Sequence, residues 1–75
     1  MNILEKHDKI FKQIGLNIKE ERKKAKLTQK ELAEKFGGDR SKISDIENGK
    51  ENFMFSTLLD IADSLKLDVQ RLLKK

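Results

Sequence analysis

The sequence predicts an all-α fold of five helices, and three observations lead to that prediction. Apolar residues recur every three or four positions, which is the spacing of a helix face and not the alternation of a strand. Ser, Thr or Asp side chains precede several of these apolar series, where they can cap a helix, and glycines follow two of them. No proline, repeat or linker divides the 75 residues, so we expect one small domain.

The composition excludes several classes of protein. The chain has no Cys, and its single His is His7, so we expect neither a disulfide framework nor a metal site. No apolar run approaches the ~20 residues of a membrane span, and the N-terminus does not resemble a signal peptide, so we expect a cytoplasmic protein. A net charge of +4 favours an anionic partner.

The first predicted helix begins near Asp8, a candidate N-cap, and follows a short extension that we expect to fray. The chain is therefore divided into an N-terminal extension, residues 1–7, and a domain, residues 8–75. Gly15 lies beside the apolar positions of this helix, which are Phe11, Ile14, Ile18 and Ala25. Arg22 lies on the same face, where a guanidinium needs a paired acid.

Thr28 marks the clearest helix start in the chain. Glu31 stands at the third position of the second helix, as a capping box requires. The side chains expected to face inward are Leu32, Ala33 and Phe36. Gly37 and Gly38 are expected to end this helix, where a left-handed backbone is needed.

Asp39 is placed to cap the third helix, which we expect to end near Asn48, before Gly49. Its buried side is predicted to contain Ile43 and Ile46.

Two charged residues interrupt the apolar faces of the first and third helices. Glu47 lies one turn beyond Ile43, on the buried side of the third helix, and Arg22 has the matching place on the first. A buried guanidinium and a buried carboxylate each need an opposite charge, so we predict an ion pair between Arg22 and Glu47. In the alternative, the apolar stem of each side chain is buried and its charged end reaches solvent.

A fourth helix follows a loop around residues 50–53 and carries the apolar positions Phe55, Leu58, Leu59, Ala62 and Leu65. Two starts are open: Ser56 is chemically the better cap, whereas a start nearer Met54 brings Phe55 into the helix. Asp68 can cap a short fifth helix, whose apolar residues are Val69, Leu72 and Leu73.

The outer face of the third helix consists of short or planar polar side chains. Because the major groove of DNA admits one helix, such a face can approach the edges of the bases. The predicted base-contacting residues are Arg40, Ser41, Ser44 and Asp45. Arg40 is the principal candidate because its fork matches the two acceptors of guanine. We expect Asp45 to orient Arg40 or a neighbouring base contact, the alternative being that it accepts from a cytosine amino group. The alternative is an ordinary solvated helix face.

Phosphate contacts are expected from a helix N-terminus and from basic or amide side chains that flank the groove. The residues in these positions are Thr28, Gln29, Lys30, Lys42, Asn48 and Lys50.

Three segments together resemble the lambda-repressor-like, Cro or XRE-type helix-turn-helix family. They are LTQKELAEKFG, the Ile43, Ile46 and Glu47 spacing within SKISDIENGK, and TLLDIADSL. The resemblance extends from Ile14 to Leu73 and implies a five-helix DNA-binding domain whose helix-turn-helix is formed by helices two and three. It also implies a homodimer on an operator with two half-sites. Gln29 matches the phosphate-contacting glutamine of the family, and Arg22 with Glu47 matches its internal ion pair. The residues that match its base-facing positions are Arg40, Ser41, Ser44 and Asp45.

The chain departs from the family pattern at four positions. Lys26 and Lys66 stand where the family usually has helix-ending glycines, so each either holds a left-handed backbone or ends its helix differently. Phe53 and Met54 replace a frequent proline and a frequent small cap. The run Phe53, Met54, Phe55 is more apolar than one core face requires. We therefore predict that it forms a dimer contact, the alternative being that it packs beneath the loop. The residues assigned to that contact are Phe53, Met54, Phe55 and Leu72.

The predicted function is sequence-specific binding of double-stranded DNA by a small transcriptional regulator, of the repressor or restriction-modification controller kind. We expect a homodimer that uses no cofactor and no small-molecule ligand. The alternative is an antitoxin or another protein-interaction module on the same scaffold. An enzyme is not expected, because the single histidine lies outside the predicted core and no cysteine is present.

Overall fold

The computed structural model describes residues 3–50 and 52–74, with side chains from His7 onward, and this part of the chain contains five α-helices and no strand. The helices are α1 (Ile3–Lys24), α2 (Gln29–Phe36), α3 (Arg40–Glu47), α4 (Phe55–Ser64) and α5 (Gln70–Leu73). The predicted all-α fold is confirmed. Among the described helices, none combines the length and the hydropathy needed to cross a membrane.

The first helix begins earlier than predicted. Its first residue is Ile3, so the expected start near Asp8 is wrong, and Asp8 is an exposed residue inside the helix. The segment before Asp8 contains Leu, Glu and Lys, which are good helix formers, and nothing in it stops a helix. Residues 1 and 2 of the predicted extension lie outside the described residues, and the division at residue 8 stays a prediction. Ala25 was also misplaced, because it follows the end of α1 and is exposed.

The predicted caps of α2 and α3 are confirmed. The Thr28 hydroxyl accepts from the backbone N–H of Glu31 at 3.0 Å, and the Glu31 carboxylate accepts from the N–H of Thr28 at 2.8 Å. The hydrogen bond from the Thr28 backbone N–H to the Glu31 carboxylate lowers the pKa of Glu31, and the nearby Thr28 hydroxyl lowers it further. Asp39 caps α3 by accepting from the N–H of Lys42 at 2.9 Å.

Left-handed backbone occurs at two glycines and two lysines of the described residues. Gly37 (φ 83°) ends α2 and Gly49 (φ 69°) follows α3, whereas Gly38 is not left-handed, contrary to the prediction for that residue. Lys26 (φ 60°) and Lys66 (φ 58°) both adopt the left-handed conformation. Of the two possibilities open at these lysines, the strained backbone is therefore correct, at a cost of roughly 1–2 kcal/mol for each.

The fourth helix begins at Phe55, with Met54 at the N-cap and no side-chain capping bond. Of the two predicted starts, the one nearer Met54 is correct. Val69 stands at the N-cap position of α5 without a side-chain bond, and the predicted capping interaction comes from Asp68 just before it, whose carboxylate accepts from the N–H of Gln70 at 2.9 Å.

The core lies between the helices, where α3 packs against α1 and α2, α4 against α2, and α5 against α1. Its largest side chains are fully buried. They are Ile18, Leu32, Ile43, Ile46, Leu58, Ile61 and Leu72. Helix α3 packs tightly against α1 at Gly15, where an added Cβ would lie 2.2 Å from the carbonyl oxygen of Ile46 and 2.9 Å from that of Glu47. The inner side of α3 is thus held directly against α1, and its opposite side faces away from α1.

An amide clamp attaches the C-terminal helix to α1. The Asn17 side chain, which is 9% exposed, donates to the carbonyl of Leu72 at 2.9 Å and to the carbonyl of Lys74. Gln13 in turn donates to the Asn17 oxygen at 3.0 Å. The clamp satisfies backbone carbonyls at the end of α5, which lack partners within so short a helix.

Candidate nucleic-acid interface

The polar side of α3 faces away from the core, as predicted. Arg40, Ser41 and Asn48 are exposed, and Ser44 and Asp45 are partly exposed. All five lie opposite Ile43 and Ile46, whose side chains are fully buried. The structure therefore brings every predicted base-contacting residue onto one accessible helix face.

The predicted ion pair is present and buried. The Arg22 Nε lies 2.7 Å from Glu47 Oε2, and Nη2 donates to Oε1 at 3.1 Å, so the guanidinium binds the carboxylate with two parallel bonds. Arg22 is 8% exposed and Glu47 4%, which rules out the alternative that both side chains reach solvent. The remaining Nη1 donates to the carbonyl of Leu27 at 2.8 Å. The pair thereby joins α1, α3 and the turn that precedes α2.

Gln29 connects this buried pair to the outer face of α3. Its Nε2 donates to Glu47 Oε1 at 3.0 Å, and its Oε1 accepts from Arg40 Nη1 at 2.9 Å. A continuous series of side-chain bonds therefore extends from Arg22 through Glu47 and Gln29 to Arg40. Sequence reasoning missed this series, because Gln29 was considered only as a contact to phosphate.

The orienting role expected of Asp45 stays a prediction. Within the described residues, no hydrogen bond joins the Asp45 side chain to Arg40, whose Nη1 donates to the amide oxygen of Gln29. One turn of α3 separates Asp45 from Ser41, so its carboxylate remains on the outer face, farther along the helix. Asp45 is left as a direct candidate for contact with a base amino group.

The phosphate-contacting candidates surround this face. Thr28, at the N-terminus of α2, is exposed, and its hydroxyl oxygen is engaged as the acceptor of the capping bond. Lys30, Asn48 and Lys50 are also exposed, whereas Gln29 and Lys42 are partly buried. The Asn48 amide lies 3.4 Å from the Ser44 hydroxyl, a long contact that a stronger acceptor such as phosphate can replace.

The predicted dimer contact is only partly available. Leu72 is fully buried in the core and cannot form a surface contact, so its assignment was wrong. Phe53 is partly buried, and its ring packs edge to face against Phe11 with centroids 5.0 Å apart, which matches the alternative of packing beneath the loop. Met54 and Phe55 remain accessible, with 72% and 58% exposure.

Leu59, one of the apolar positions predicted for the fourth helix, adds to this surface. It is 43% exposed and lies one turn after Phe55 on α4. We call Met54, Phe55 and Leu59 the α4 apolar surface.

The sequence matches one protein family and is similar to two phage proteins. The helix-turn-helix domain family matches residues 15–75. The immunity repressor protein of Bacillus phage phi105 is 45% identical over 56 residues, which cover 75% of this chain and 39% of the phage protein. The ImmF control region 10 kDa protein of the same phage is 41% identical over 58 residues, covering 77% of this chain and 64% of the relative. The chain thus spans less than two thirds of the length of either phage protein.

Two solved structures have closely similar folds. One is the restriction-modification controller protein C.AhdI from Aeromonas hydrophila, with a TM-score of 0.85 and 29% identity, covering 88% of this chain and 96% of that protein. The other is a hypothetical transcription factor, NHTF, from Neisseria, with a TM-score of 0.83 and 26% identity. The match covers 87% of this chain and 75% of the Neisseria protein. These likenesses agree with the five-helix fold described above. The chain therefore belongs to the helix-turn-helix domain family.

Proposed function

We propose that this protein binds double-stranded DNA sequence-specifically and regulates transcription, and that α3 enters the major groove. The observation that carries the proposal is the exposed polar face of α3, whose opposite side is fixed to α1 by close packing at Gly15 and by the Arg22–Glu47 pair. The similarity to a phage immunity repressor and to a restriction-modification controller supports it. We infer that the protein acts in the cytoplasm without a cofactor, a small-molecule ligand or a catalytic step.

The proposed contacts divide into two groups. Arg40 binds guanine through its planar fork, and the other three residues of the outer face contact the neighbouring bases. Phosphates are bound on either side of the groove, where they set the register of the helix without selecting a sequence. The residues assigned to phosphate are Thr28, Lys30, Lys42, Asn48 and Lys50.

Arg40→Ala is expected to reduce discrimination at one base pair of each half-site by about 5- to 150-fold, the value of a good bidentate contact. Lys50→Ala, the matched control for loss of a positive charge, is expected to weaken binding to all sequences alike and to make the salt dependence shallower. Fluorescence anisotropy titrations on an operator and on its single-base variants measure both effects. Equal loss on every duplex for Arg40→Ala would contradict the assignment of Arg40 to a base.

We also propose that two copies of the protein associate through the α4 apolar surface. Its three exposed apolar side chains are adjacent in the chain or one turn apart, and exposed clusters of this kind mark interaction sites. A homodimer would place two α3 helices on two operator half-sites whose centres are ~34 Å apart or a multiple of that distance. A second copy would also add buried apolar area, which benefits a domain of this size.

Phe55→Glu is expected to raise the dissociation constant of the dimer about 30-fold or more, because it places a charge at the centre of this surface. The control is Ile10→Glu on α1, since Ile10 is 57% exposed and Phe55 58%. Sedimentation equilibrium of the two variants measures the dissociation constant of each and so decides between the α4 apolar surface and the surface around Ile10 on α1. Weaker association with Ile10→Glu, together with unchanged association for Phe55→Glu, would move the contact from α4 to α1.

A further inference from the structure

We propose that the buried Glu47 helps to determine which base Arg40 selects, because it sets the polarity of the Gln29 amide that positions Arg40. The inference rests on the proposed function, in which Arg40 contacts a base. It gives Gln29 and Glu47 roles in specificity that differ from a phosphate contact and from a purely structural ion pair.

The first step is that Gln29 has only one amide orientation that satisfies both of its neighbours. The Glu47 carboxylate, paired with Arg22, accepts hydrogen bonds, whereas the Arg40 guanidinium can only donate them. The Gln29 nitrogen must therefore face Glu47, 3.0 Å away, and its oxygen must face Arg40, 2.9 Å away. The polarity of the amide follows from the chemistry of the two groups that it joins.

The second step is that Glu47 is itself buried and held by hydrogen bonds. Its Oε1 accepts from both Arg22 Nη2 and Gln29 Nε2, and its Oε2 accepts from Arg22 Nε at 2.7 Å. It is 4% exposed, and its backbone carbonyl lies where α3 touches Gly15. A rigid anchor inside the protein is thus linked through a single amide to an exposed side chain on the outer face.

The third step concerns what this link leaves available on Arg40. A guanidinium has five N–H donors, and the bond to Gln29 uses one of them. The donors that remain are sufficient for the two acceptors of guanine. A long exposed side chain loses rotamer freedom when it binds, so an arginine already held by Gln29 loses less. Its fork is also presented at a fixed angle, and a fixed angle favours one base over the others.

Gln29→Met tests the amide, since methionine has a similar length, suits a helix and has no amide. The affinity ratio between the operator and its variant at the Arg40 base pair should fall about 3- to 10-fold, the range for one hydrogen bond. Ratios at other base pairs should not change, and Gln29→Met should have no further effect on this ratio when Arg40→Ala is present. The control is Gln13→Met, which removes a partly buried amide bonded to Asn17 on α1.

The double variant Arg22→Met with Glu47→Met tests the anchor. Replacing both partners of a buried ion pair by apolar residues of similar size is often tolerated, so this variant is expected to fold, which circular dichroism measures. It should show the same loss of selectivity as Gln29→Met. If it does not fold, the single variant Gln29→Met still decides the role of the amide.

Three results would overturn the proposal, and they differ in what else they affect. A folded double variant with unchanged selectivity would limit Glu47 to a structural role. Equal weakening on all sequences by Gln29→Met, with a shallower salt dependence, would assign Gln29 to a phosphate. If Arg40→Ala leaves the base preference unchanged, both this proposal and the proposed base contact fail, whereas the first two results leave the base contact intact.

Discussion

Glu47→Ala is expected to lower the free energy of unfolding by about 3–5 kcal/mol, because it leaves the buried Arg22 guanidinium without its carboxylate. Arg22 is 8% exposed, and of the hydrogen-bond partners that its guanidinium has within the described residues it would keep the carbonyl of Leu27 alone. A domain of 75 residues has a total stability of roughly 4–11 kcal/mol, so this substitution is expected to remove a large share of that stability.

Urea denaturation followed by far-ultraviolet circular dichroism measures this loss. The control is Glu34→Ala, an exposed glutamate on α2, for which we expect a change within about 0.5 kcal/mol. The double variant Arg22→Met with Glu47→Met should be more stable than Glu47→Ala alone, since it leaves no buried charge unpaired. A loss below about 1 kcal/mol for Glu47→Ala would show that the pair does not hold α1 and α3 together.

Gly15→Ala is expected to destabilise the protein by about 1–3 kcal/mol, the usual range for inserting atoms into a packed site. The added Cβ would lie 2.2 Å from the carbonyl oxygen of Ile46, and a backbone atom cannot move aside as a flexible side chain can. In an ordinary helix the same change is stabilising by roughly 1 kcal/mol, so the sign of the effect identifies the close contact.

Thermal and urea unfolding of Gly15→Ala test this expectation, with Glu20→Ala as an exposed control on the same helix. The substitution should also weaken specific DNA binding, since α3 must move away from α1 to admit the methyl group. A Gly15→Ala protein that is more stable than the wild type would mean that α1 and α3 are not in contact at this residue.

Local signals in the sequence predicted the helix-turn-helix well, because they act over a few residues. The capping box at Thr28 and the cap at Asp39 each join groups that are three positions apart, so spacing alone identifies them. The ion pair was predicted across 25 positions, because Arg22 and Glu47 were each out of place on an apolar face. Two such charges have few ways to be satisfied in one small core.

Other features depend on tertiary placement and could not be predicted in this way. Gln29 carries no local signal that distinguishes a link to Arg40 from a contact to phosphate, and Asn17 resembles an ordinary polar residue of a helix. Both amides bond to groups that are brought close only by folding, 11 and 55 positions away in the chain. Their roles become visible once the helices are packed.

The apolar pattern of the last two helices predicted which residues form an apolar face, but not how much of each face is covered by neighbouring helices. Leu59 and Leu72 illustrate the difference, since the first is 43% exposed and the second fully buried. A helical stripe can be wider than the surface that its neighbours cover, and a four-residue helix such as α5 presents too few positions to define a face. Only the packed structure separates core from surface here.

The central claim is that the outer face of α3 selects a DNA sequence through Arg40, and selection of bound duplexes from a random pool tests it most directly. We predict that the wild-type protein enriches two related half-sites whose centres are ~34 Å apart or a multiple of that distance, each with a strongly preferred guanine. The Arg40→Ala protein should enrich the same half-sites without that preference. Enrichment of no motif by the wild type, or of an identical motif by Arg40→Ala, would contradict the claim.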